Sequence, residues 1–226
     1  MEMENIQIKH RKGDSLEYGI FEECIKLLNN PVGATMEIGV RDGFGSAVII
    51  NAWRNRFSGS RPLVHFGVDP YGNISYNGAD NLKGVRYDYT NEMKQDMLIY
   101  MSKFYPEFHF INLDDKEFFG RFVNGYPIYR NEKILINQYD LIHLDGPHDT
   151  ESVVQEVDFV RVRAAKECFI VLDDCQTYDL KKVVSIASDT KEGVVPNKSH
   201  NFNLVYEGER KAVLSNFHID NNLNNQ

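Results

Sequence analysis

Cysteine is scarce in this chain: Cys24, Cys168 and Cys175 are scattered along 226 residues and odd in number. They make neither a disulfide framework nor a paired-cysteine metal site, and the expected compartment is the reducing cytoplasm. Long apolar runs are missing as well. Nothing approaches the roughly 20 residues of a membrane helix. The first residues, M-E-M-E-N-I-Q-I-K-H-R-K, are too polar for a secretory signal, so no membrane partner is expected. Positive charge is short too, since 25 Lys and Arg against 33 Asp and Glu leave a net charge of −8. A protein that tracks a phosphate backbone shows a basic face, so no nucleic-acid partner is expected. The cluster Lys9-His10-Arg11-Lys12 reads as a solvated approach to a helix. Internal repeats and composition breaks are absent, which leaves one domain over 1–226 with a polar tail at 220–226. A hydrophobic content of 42% is enough for its core.

What is present alternates. A helix is expected from Gly13-Asp14-Ser15 to Asn29-Asn30-Pro31, with Phe21, Cys24, Ile25 and Leu28 on one face. Short apolar runs bounded by turn residues follow as buried strands: Thr35 to Gly39, Leu63 to Asp69, Phe108 to Asn112, Leu141 to Leu144, and Cys168 to Leu172. Helices are expected between them, and an extended insertion at Lys133 to Ile136. The run H-N-F-N-L-V-Y-E-G-E-R-K-A-V-L-S turns at Glu207-Gly208-Glu209 and reads as a hairpin. Strands alternating with helices and closed by a hairpin describe an α/β fold with a mostly parallel sheet and one reversed strand. Residues 71 to about 91 are rich in Tyr, Asn and Gly, and with the helix to Tyr105 they make a lid-like insertion at 71–105. Met93, Met97 and Met101, at helical spacing, are expected in the core.

Four polar groupings sit at strand ends, where open parallel sheets bind ligands. In E-I-G-V-R-D-G-F-G-S, Gly39, Gly43 and Gly45 allow a tight turn and a close approach to a ligand. The spacing is not the dinucleotide fingerprint, and Glu37 would repel a diphosphate. Glu37 suits a cationic amine or sulfonium. Asp69, in F-G-V-D-P-Y, is placed to accept ribose hydroxyls, or else to cap a turn. Asp114 and Asp115, in I-N-L-D-D-K-E, are placed either to read an adenine amine or to cap the next helix. The most specific grouping is Y-D-L-I-H-L-D-G-P-H with C-F-I-V-L-D-D-C, which delivers Asp145, His148, Asp173 and Asp174 to one edge. Carboxylates this close either share a hard cation such as Mg²⁺ or force one of their number to take a proton. His148 reads as a base, a substrate contact or a turn residue.

In order and spacing, E-I-G-V-R-D-G-F-G-S, G-V-D-P, L-D-D-K-E, D-L-I-H-L-D-G-P-H and F-I-V-L-D-D resemble the class I S-adenosylmethionine-dependent methyltransferases, in particular the macrocin O-methyltransferase-like group. The resemblance spans about residues 35 to 175. It implies a Rossmann-like three-layer sandwich with a seven-stranded sheet. It places Glu37, Gly39, Val40, Gly43, Ser46, Asp69, Asp114 and Asp115 around S-adenosylmethionine. It also implies Asp145, Asp173 and Asp174 as a Mg²⁺ site beside the acceptor hydroxyl, with Asp145 or His148 taking its proton. Two places differ from the group's pattern: Ala164-Ala165 stands for the usual Gly-Gly, and Thr150 stands near an expected aromatic residue. The expected reaction is O-methylation of a small sugar, phenol or natural-product acceptor, by a monomer or a homo-oligomer. A metal-dependent hydrolase and a non-catalytic binding protein on the same fold are the alternatives.

Overall fold

A computed structural model describes Gly13, residues 15–189 and residues 200–219. The basic cluster at 9–12, Asp14 and the tail at 220–226 lie outside the described residues. The first half of the chain forms α1 (Gly19–Leu27), β1 (Ala34–Ile38), α2 (Phe44–Phe57), β2 (Val64–Val68), β3 (Ser75–Tyr76), β4 (Val85–Arg86), α3 (Asn91–Phe104) and β5 (Phe108–Ile111). The second half forms α4 (Asp115–Arg121), β6 (Tyr126–Tyr129), β7 (Lys133–Ile136), β8 (Tyr139–Leu144), α5 (Thr150–Arg163), β9 (Ala164–Leu172), α6 (Leu180–Ser188), β10 (Asn203–Glu207) and β11 (Ala212–Ser215).

Seven strands make the main sheet, in the order β10-β11-β9-β8-β1-β2-β5. β5, β2, β1, β8 and β9 run parallel, and β11 runs antiparallel to both β9 and β10. This is the Rossmann-like methyltransferase fold. Side chains alternate between faces along a strand, and that alternation builds the layers. Met36, Ile38, Ile142, Leu144 and Ile170 pack against Phe118 of α4, Val153 and Val157 of α5 and Val183 of α6. Leu141, Phe169, Val171 and Val213 face the other way, toward Phe21 of α1, Ile50 and Trp53 of α2 and Met97 and Met101 of α3. Fully burying each Leu, Val or Phe contributes roughly 1.5–3 kcal/mol, so both layers are held by apolar area. Thr35, Glu37, His65 and His143 have the second parity and are buried on the α1–α3 face. Among the described residues no helix is long and apolar enough to cross a membrane.

Two segments differ from the sequence expectation, and a third is found as expected. Helix α1 begins at Gly19 rather than Gly13–Ser15. Ser15 Oγ accepts the Glu17 amide instead (3.1 Å), and the Glu17 carboxylate takes the backbone N–H groups of Glu209, Arg210 and Lys211 at 2.8–3.1 Å. The hairpin turn thus engages the chain just ahead of the helix. The insertion at 71–105 divides in two. Its first part folds as the β3–β4 ribbon, whereas α3 is a packing helix capped by Thr90 with Met97 and Met101 fully buried. The expected extended piece at 133–136 is present as β7 and pairs with β6 in a separate two-stranded hairpin that packs on the main sheet through Ile128 and Tyr126.

Candidate active site

Register decides what meets at the sheet edge. Ile38 pairs with Val68 on one side and Leu144 on the other, and Leu144 pairs with Leu172. The residues that follow these strands, Asp69, Gly39, Asp145 and Asp173, therefore stand in one row. Strand order reverses about β1, which opens a crevice at the carboxyl ends. A cavity of about 480 Å³ lies there, with Gly39, Asp69, Asp115, Tyr89, Asp145 and His148 among its walls. That volume is in the range of small-ligand sites.

On the β1–β2 side the chain turns tightly. Gly39 has φ +84°, and a Cβ there would lie 1.9 Å from the Asp145 carbonyl oxygen, so only glycine permits this contact between the two loops. Asp69 Oδ2 accepts the N–H groups of Val40 (2.9 Å) and Arg41 (3.0 Å), and Oδ1 accepts that of Tyr71 (2.9 Å). Burial pushes the Asp69 pKa up against these hydrogen bonds. Its Oδ1 keeps a lone pair for a ligand hydroxyl. Asp114 caps α4, accepting from Glu117 N (2.7 Å), and also lines the cavity. Asp115 also lines the cavity, and its buried Oδ2 has no hydrogen-bond partner.

Glu37, Val40, Gly43 and Ser46 are not on the cavity wall. Glu37 is 1% exposed; one oxygen accepts from Ser46 Oγ and the other meets His143 Nδ1 at 2.9 Å. Ser46 in turn meets His65 Nε2 at 2.9 Å, and His65 Nδ1 meets Thr35 Oγ1 at 2.7 Å. These side chains form a buried chain of hydrogen bonds beneath the cavity floor. Gly45 sits directly over it, since a Cβ there would lie 2.0 Å from Glu37 Oε1. Gly43, at φ +82°, starts α2 beside Met97 and Met101.

On the β8–β9 side, His148 Nε2 lies 3.6 Å from Asp145 Oδ1 and 3.8 Å from Asp174 Oδ2. All three residues line the cavity. Asp173 is buried beneath them. Its Oδ1 meets Lys211 Nζ at 2.8 Å, and Asp174 Oδ1 accepts from Arg210 Nε at 2.7 Å. Burial, and then the charge of Asp173, push the Asp145 pKa well above its ordinary value. Burial opposes the charge on Asp173, but His143 and Lys211 outweigh it and hold that carboxyl below its ordinary value.

This arrangement does not fit the expected Mg²⁺. A hard cation needs carboxylate oxygens free to approach it closely. Here a buried ammonium holds Asp173 Oδ1 and a guanidinium holds Asp174 Oδ1, so two of the three expected ligands already have cationic partners and only their second oxygens, Asp173 Oδ2 unpartnered among them, stand clear of these cations.

Sequence reasoning passed over Lys211, Arg210 and His143. His143 lies inside the most specific motif but was read there as part of an apolar strand. The signal for Lys211 was a basic pair directly before an apolar strand, which becomes meaningful only once antiparallel register sets Ala212 opposite Leu172.

A parallel sheet whose order reverses at β1, with a glycine turn and an acidic residue after β2, defines a class I methyltransferase architecture. The family comparison agrees: residues 36–175 match the family described as Methyltransferase domain, and the chain belongs to that family. Among solved structures it is similar to the O-methyltransferase NovP (14% identity, 87% of this chain and 77% of that one, TM-score 0.56). It is also similar to cofactor-bound Rv0187 from MTB (10%, 92% and 83%, 0.52). A third is SMU.1697c, a putative methyltransferase from Streptococcus mutans in complex with SAH (4%, 87% and 95%, 0.51). Among curated proteins no sequence match is found.

Proposed function

We propose that this protein transfers a methyl group from S-adenosylmethionine to a hydroxyl of a small acceptor. The observation that carries the reading is one cavity with two chemically different walls. Asp69 and Asp115 offer acceptor oxygens on one side, and His148 is flanked by two carboxylates on the other. The residues fit the donor: Gly39 lets the loops after β1 and β8 close together at the cavity wall, Asp69 suits ribose hydroxyls, and the unpartnered Asp115 Oδ2 suits an exocyclic amine. S-adenosylmethionine supplies an electrophilic methyl group on a sulfonium. Asp114 shapes the same wall. Glu37, Val40, Gly43 and Ser46 act from beneath, by fixing the loop that the donor would rest on.

The macromolecule's part in catalysis is positioning and proton removal. His148 Nε2 takes the acceptor hydroxyl proton, as a general base in hydrogen-bond reach of the acceptor oxygen. Asp174 and Asp173 stabilise the imidazolium that forms. Aligning the acceptor supplies much of the remaining acceleration. Tyr76, Tyr87 and Tyr89 are stacked, with ring centroids 4.6–6.0 Å apart, and cover the acceptor side. Stacked phenols suit a planar or sugar-like hydroxylated acceptor. Three buried free thiols suit a reducing cytoplasm.

The test is turnover with methyl-labelled S-adenosylmethionine on a panel of phenols, sugars and polyketide alcohols. Labelled methyl ethers are expected. Label appearing only on carbon or nitrogen acceptors would contradict hydroxyl methylation.

A further inference from the structure

We infer that the ammonium of Lys211 occupies the cationic role at this site, so that methyl transfer here proceeds without a divalent metal. The consequence for catalysis rests on the methyltransferase reading, but the exclusion of the ion stands on geometry alone.

Strand β11 runs antiparallel to β9 with Ala212 opposite Leu172, so the residue before β11 faces the residue after β9. Lys211 thereby meets Asp173. Its side chain is 0% exposed, which is rare for lysine and requires full compensation of the charge. The compensation is visible. Nζ lies 2.8 Å from Asp173 Oδ1, 3.4 Å from His143 Nε2 and 4.6 Å from the centre of the Tyr18 ring. Phe21, whose ring meets the His143 ring edge-on at 4.7 Å, closes the same pocket from α1. Glu17, just ahead of α1 and bound to the Lys211 amide, and the rings of Tyr18 and Phe21 therefore build an enclosure for one ammonium. Arg210, the preceding residue, does the same on the cavity side by holding Asp174 Oδ1 from Nε at 2.7 Å.

A divalent ion bound by Asp145, Asp173 and Asp174 would have to displace both cations, or sit against them in a poorly screened interior. Through Asp173, Lys211 is a positioning residue: it fixes the carboxylate beside Asp145, which in turn faces His148.

Titration of the full chain with Mn²⁺, followed by electron paramagnetic resonance with and without S-adenosylhomocysteine, tests this. In the wild-type protein the full free-ion signal is expected to persist. One bound Mn²⁺ per chain, abolished by Asp173→Asn, would overturn the inference. In Lys211→Met, a new Mn²⁺ site that Asp173→Asn removes is expected, and a folded variant without one would also overturn it. Should Lys211→Met fail to fold, the wild-type titration still decides, and Lys211→Arg is expected to fold and to bind no Mn²⁺. Failure to bind S-adenosylhomocysteine in the same samples would count against the methyltransferase reading instead, whatever the manganese does.

Discussion

Burial lowers the pKa of His148 below the ordinary imidazole value, and the charges of Asp174 and Asp173 restore it only in part. The ring is therefore neutral near pH 7 and ready to accept a proton. Activity is expected to be flat at neutral and mildly alkaline pH, and to fall as pH drops through the depressed value. A rate that instead rises only above pH 8 would assign the base elsewhere. His148→Asn is expected to lower kcat by about 10²–10⁴-fold while leaving S-adenosylhomocysteine affinity unchanged. Glu156 shows the opposite shift. It is fully buried with both carboxylate oxygens unpartnered, and burial, then Asp115 and Asp149, push its pKa well above the ordinary value. The folded state holds this proton more tightly than the unfolded chain. Its stabilising effect is complete below the unfolded pKa and is lost as pH rises through the folded one. Glu156→Gln is expected to flatten that loss, seen as a Tm that falls less between pH 5 and pH 8 than in the wild type; parallel curves would contradict the shift. Asp145 and His148 were legible in the sequence because polar groups ended an apolar strand abruptly. Lys211 and Glu156 were not, because a charged residue beside apolar ones looks solvent-facing until the packing is known.

At the level of elements, β1 and β8 meet through Gly39 and the Asp145 carbonyl with no room for a side chain. Gly39→Ala must part these loops and also strain a positive φ. It is expected to cost on the order of 2–4 kcal/mol in chemical denaturation and to abolish S-adenosylhomocysteine binding. Wild-type stability with wild-type affinity would show that the loops separate freely. The strands were readable from their apolar runs and turn residues, and the terminal hairpin from Glu207-Gly208-Glu209. The β3–β4 ribbon was not, since two-residue strands leave no periodicity. The start of α1 is not legible locally because Glu17 is engaged by a hairpin nearly two hundred residues away.

For the whole molecule, alternating strands and helices implied a parallel sheet, but the reversal of order at β1 follows only from tertiary packing. That reversal sets the row of Asp69, Gly39, Asp145 and Asp173 along one edge, and with it the cavity. The central claim is that this edge is a donor site for methyl transfer. Isothermal titration of the intact protein with S-adenosylhomocysteine tests it most directly. The account predicts saturable one-to-one binding without added metal, weakened strongly by Asp69→Ala. Absence of binding in a folded wild-type protein would contradict it.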